Sequence, residues 1–141
     1  MADLTLAVPA SRSRTIAYWI ATVLVASEFA LGGVWDLLRI PYVSTIMAHL
    51  GYPSYFAIFM GVWKVPGSVV MVLPRLPRLK EWVYAGMVYE MTGAVFSHGA
   101  VGDGVVELSV PVVLLGLIAV SWALRPPDRR DFARVSQGSS A

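Results

Sequence analysis

SYFAIFMGVWKVPGSVVMVLPRLPRLKEWVYAGMVYEMTGAVFS, residues 54–97, holds two long apolar runs joined by prolines and basic side chains. The first run extends from about Ser54 to Leu73 and is closed by Pro74. The second follows the basic stretch Pro74–Trp82 and reaches about Ser97. Each approaches the roughly 20 residues that a helix needs to cross a bilayer core. Inside lipid a backbone must satisfy its own hydrogen bonds, so such runs read as helices. The stretch therefore predicts two membrane spans linked by a basic loop.

Two further runs flank this pair. One extends from about Ile16 to Leu38, the other from about Val105 to Leu124, where Arg125-Pro126-Pro127 stops it. Gly32-Gly33, Pro66-Gly67, Gly93 and Pro111 lie within the runs. Small residues let neighbouring helices approach closely, and Pro66 predicts a kink. Between the first two spans, Pro41–Pro53 is too short and too polar to cross. Tyr42, Val43, Ile46, Met47 and Leu50 share one helical face there, which predicts a short interfacial helix over the bundle. A plain surface loop is the alternative. The expected fold is thus all-α, a four-helix transmembrane bundle with a short interfacial helix between helices 1 and 2. Residues 1–14 form an N-terminal segment, 15–125 the membrane domain, and 126–141 a disordered tail. Val25-Ala26-Ser27 loosely imitates a signal-peptide cleavage site, but the apolar run continues past it, so cleavage is not expected.

Composition agrees with lipid as the solvent. The chain has 141 residues, 57% hydrophobic and 14% charged, against about 25% charged in ordinary soluble domains. Its net charge of +2 is spread in short flanks around apolar runs, which argues against nucleic-acid binding. The absence of cysteine removes disulfides and thiol chemistry from this chain. Arg12, Arg14, Arg75, Arg78, Lys80, Arg125, Arg129, Arg130 and Arg134 all fall on one side of a four-span topology. Arg39 alone flanks the other, so both termini are expected in the cytoplasm.

Three charges sit where charge is costly. Glu28, Lys64 and Glu90 lie near the middles of the first three spans, and burying one costs at least about 2.5–3.5 kcal/mol. Their similar depth predicts that they face inward and meet. Asp36 and His98 lie eight residues nearer the outer surface, about 12 Å higher, and predict a second polar layer. Glu107 opens the fourth span on that side, Asp103 precedes it as a candidate cap, and Trp63 is a candidate lining residue beside Lys64. Together they describe a polar cleft open outward. Two readings stay open: an ion-pair network that fixes helix packing, or a ligand or proton site tuned by desolvation. A histidine bound to its neighbours is preferred over a metal site at His98, and no metal is expected.

Leu50–Asp103 also carries GYP (Gly51–Pro53), the spacing of Gly61 and Lys64, PRLKEWxYAG (Pro77–Gly86), and SHxxxGD (Ser97–Asp103). In these elements the chain resembles the DoxX-like family of small bacterial membrane proteins, over about residues 15–125. The resemblance implies four spans in a bacterial inner membrane. More distant DoxX/DoxD relatives include a subunit of a thiosulfate:quinone oxidoreductase, which implies a quinone-linked role. On that reading Glu28, Lys64, Glu90 and His98 do the chemistry. Asp36, Trp63, Asp103 and Glu107 bind the ligand. The partners are the bilayer, a quinone or other apolar molecule, and a redox subunit or further copies of the chain. Two alternatives stand beside it. One is an isomerase, cyclase or hydrolase using the paired acids; the other is a non-enzymatic binding or transport component.

Overall fold

A computed structural model describes residues 11–130. It contains α1 (Arg12–Leu38), α2 (Pro41–His49), α3 (Ser54–Val72), α4 (Pro77–Ala100) and α5 (Val105–Ala123). A 3-10 turn at Pro127–Arg129 follows, and no strand occurs among the described residues. The first part of the expected tail, Pro126–Arg130, is thus among the described residues. The rest of it, and residues 1–10, lie outside the described residues.

Helix ends fall where local chemistry places them. The Ser11 hydroxyl accepts from the Arg14 N–H at 3.4 Å, so α1 begins within its basic flank rather than at Ile16. Pro77 opens α4, where its fixed φ suits a helix start and its missing N–H goes unneeded. The basic stretch is thus helical from Pro77 to Trp82. α2 turns on Gly51 at φ 79, a conformation that glycine adopts without strain. Val43 is its buried residue, while Tyr42, expected on the same face, is 64% exposed. α3 runs unbroken through Pro66.

Three helices, α1, α3 and α5, are long and apolar enough to cross a membrane. α4 has 24 residues but also carries Arg78, Lys80, Glu81 and Glu90. Large apolar side chains face outward around the assembly. Leu31 is 59% exposed on α1, Phe59 53% on α3, Phe96 80% on α4 and Val113 60% on α5. A water-soluble monomer does not present such a surface. This is an integral membrane protein.

α1 lies between α3 and α5, α4 packs on α5 and more sparingly on α3, and α2 rests on α3. Val25, Ala26, Phe29, Met71, Met87, Met91, Leu114 and Ile118 fill the apolar centre with Tyr84. The α1–α3 crossing is the tightest. A Cβ at Gly61 would lie 2.6 Å from the Gly33 carbonyl oxygen, and one at Gly33 would lie 2.7 Å from Lys64 Cβ. Only glycine permits that approach, and it sets Lys64 against α1.

Candidate functional site

Lys64 organises the polar interior. Its Nζ lies 2.8 Å from Glu90 Oε1 on α4 and 3.0 Å from Asp36 Oδ2 on α1. The Phe29 ring lies 5.8 Å from the same ammonium. Side-chain exposure is 13% for Lys64, 7% for Asp36 and 16% for Glu90, so all three are largely removed from solvent. Glu28 is beside them. A Cβ on Gly32 would lie 3.4 Å from Glu28 Oε1 and 3.8 Å from Lys64 Nζ, so that glycine keeps open the space the two side chains share. Glu28 Oε2 is buried and has no hydrogen-bond partner.

Asp36 therefore joins the Lys64 cluster and not a second layer with His98, which corrects its placement. Lys64 crosses α1 at Gly33. That level is three residues from Asp36, about 4.5 Å along the axis, but five residues, about 7.5 Å, from Glu28. The lysine accordingly pairs with Asp36 and Glu90 while Glu28 stands to one side. Three carboxylates then face one ammonium in a poorly hydrated site, where unbalanced charge is expensive.

His98 and Asp103 form a separate centre at the α2 end. His98 Nδ1 lies 2.6 Å from Asp103 Oδ2, and His49 Nε2 lies 2.7 Å from Asp103 Oδ1. Tyr52 Oη and Ser97 Oγ, 2.7 Å apart, make a second link from the α2–α3 connection to α4. Asp103 does not cap α5, whose N-cap is Gly104 with no side-chain bond. Its carboxylate is spent on the two imidazoles instead. Hydrogen bonds from His98, then His49, hold the Asp103 carboxyl below the usual carboxylate range. A carboxylate with a depressed native pKa stabilises above its unfolded value, near 4, and loses that contribution as pH falls through the native one. Amides of α2 should stay protected down to about pH 4 and exchange faster below it. Asp103→Ala should remove that protection at every pH. A break near pH 6 in hydrogen-exchange mass spectrometry would refute the carboxylate as the anchor.

Two candidates stand apart from both centres. Trp63 is 67% exposed and faces outward, because adjacent helical residues point about 100° apart and Lys64 takes the inward direction. Glu107 is exposed in the first turn of α5, and its carboxylate folds back toward Gly104. Neither lines the cluster. Among the described residues, no group of three or more metal-ligating side chains could hold a metal ion.

Sequence reading missed His49, Tyr52 and a third polar region at the end where α1 begins and α5 ends. There Thr22, Ser121 and Tyr84 form a buried hydroxyl chain, each link 2.7 Å. Lys80, 1% exposed, donates to the carbonyl oxygens of Val70 and Met71 at 2.6 Å and closes α3. Arg125, 3% exposed, pairs with Glu81 and lies over the Tyr84 ring at 5.0 Å. Charge count identified both cations as flank residues. Nothing in the local pattern marks them as buried.

A helical membrane protein with a lysine-centred interior cluster is the class that fold and site define. The chain belongs to the DoxX-like family, whose model matches residues 20–121. No curated relative and no solved structure matches it.

Proposed function

We propose that this chain is a four-span inner-membrane protein, both termini cytoplasmic, whose interior cluster handles protons for a quinone-like ligand in a redox assembly. α4 supplies the fourth span. Its 24 residues reach about 36 Å, its outward Tyr89 and Phe96 are 78% and 80% exposed, and Glu90 turns inward onto Lys64. The basic residues gathered at the terminal end support the orientation.

The carrying observation is one buried ammonium shared by carboxylates from two other helices, with a third carboxylate beside it holding an unpartnered oxygen. One lysine cannot balance three ionised acids at low dielectric, so the cluster is neutral only when it also holds protons. Such a site supplies protons without admitting water. The residues fit a quinone head group. Lys64 would donate a hydrogen bond to it, and the orphaned Glu28 oxygen offers an unfilled polar position. A quinone, if held there, would supply two-electron, two-proton redox chemistry. A partner subunit supplies the electrons; Lys64 orients the head group, and Glu28 and Glu90 hold the protons.

The test is titration of the detergent-solubilised protein with a short-chain ubiquinone analogue. Saturable binding is expected. Glu28→Gln should weaken it about tenfold, the worth of one hydrogen bond to a charged or acidic group. Absence of saturable binding, together with absence of quinone in solvent extracts of the purified protein, would overturn the reading.

A further inference from the structure

The terminal end of the helices has donors to spare. Arg14 and Arg130 donate to the Ala123 carbonyl, Arg130 also reaches that of Trp122, and Arg129 donates to that of Val72. Lys80 closes α3 alongside them, and Arg129 and Arg125 lie close enough to repel its charge. Five cations thus crowd one end. Glu81 is the acid paired there among the described side chains, and it is engaged by Arg125 and by the Trp122 Nε1–H at 3.0 Å.

Helix capping explains four of these cations but not Arg125. Its Nε and Nη1 are buried without a partner, and so is the hydroxyl of Tyr18. Tyr18 is fully buried. Orphaned buried donors are costly, and an anionic acceptor is the group that would satisfy a guanidinium.

An apolar groove starts at the same place. Between α4 and α5, Tyr84, Val88, Tyr89, Ile118, Ala119 and Trp122 line a cavity of about 430 Å³ that also touches Glu81. Glu81, Tyr84 and Trp122 are the same three side chains that contact Arg125. A cation-rich end continuous with an apolar trough matches an amphiphile rather than a free ion.

We propose that the α4–α5 groove is a binding site for an anionic phospholipid, its phosphate held at the Arg125 and Arg130 end and its acyl chain along Tyr84, Val88 and Ile118. The site is separate from the Lys64 cluster, and its test does not depend on any quinone.

Native mass spectrometry of the full chain in detergent tests it with phosphatidylglycerol, phosphatidylcholine of the same acyl chains, and inorganic phosphate. Phosphatidylglycerol should bind at least tenfold more tightly than phosphatidylcholine. Arg130 is exposed at that end, whereas Arg129 is half-buried against Trp19. R130Q should weaken the anionic lipid about fivefold, the usual worth of a basic residue at a lipid surface. Ala119→Phe, which fills the groove and leaves every charge in place, should abolish the bound lipid. Equal affinity for the two lipids would overturn the proposal. So would unchanged binding in A119F, or displacement of the lipid by equimolar inorganic phosphate.

Discussion

Lys64→Met is expected to lower the folding stability of this protein by about 3–5 kcal/mol, the largest effect of any single substitution in the interior. The lysine is the cation that faces Asp36 at 3.0 Å and Glu90 at 2.8 Å, so its loss leaves two buried acids with nothing to balance them. The cost comes from the stranded carboxylates and not from lost packing, since methionine nearly matches the lysine stem. The triple variant K64M/D36N/E90Q should therefore recover most of the stability. Thermal unfolding in detergent, followed by circular dichroism, checks both. If K64M unfolds at the wild-type temperature, the ion cluster is not buried as described. If the triple variant is no better than K64M, stranded charge is not the cause.

Gly61→Ala should be nearly as damaging despite adding one methyl group. A Cβ there would lie 2.6 Å from the Gly33 carbonyl oxygen and 3.0 Å from the Leu37 backbone nitrogen, so α1 and α3 must separate. Gly33→Ala meets Lys64 Cβ at 2.7 Å and Val65 Cγ2 at 3.0 Å. Overpacking of this kind costs about 1–3 kcal/mol. Because both changes push the same pair of helices apart, the double variant should cost less than the sum. Separation also draws Lys64 away from Asp36, which adds the cost of a weakened buried ion pair. Gly86, Gly93 and Gly116 have nothing within 4 Å of an added Cβ. Alanine at those positions should be neutral or stabilising by up to about 1 kcal/mol, through helix propensity. A G61A protein as stable as wild type would mean that the helices do not cross at these glycines.

The membrane character of the chain and the family membership were legible because both rest on local pattern. Apolar runs of span length, their basic flanks, and motifs such as PRLKEWxYAG are readable without knowing what touches what. α2 was legible in the same way, from a face with period 3.6 and a glycine stop. The interior was legible in part. Glu28, Lys64 and Glu90 drew attention by the cost of burying charge, which depends only on depth along a span. Depth does not say which acid the lysine reaches, and Asp36 was assigned one layer too far out. The crossing at Gly33 and Gly61 decides that, since it sets the register between α1 and α3.

Residue chemistry along the chain thus determined that this protein lives in lipid and carries costly charge inside it. Only the tertiary structure decided the partners: Asp36 and Glu90 for Lys64, both histidines for Asp103, and burial for Lys80 and Arg125. The reason is physical. Hydropathy and span length are properties of consecutive residues, whereas pairing and desolvation depend on the rotation and height of each helix against its neighbours. Those are set by a few contacts between segments distant in sequence.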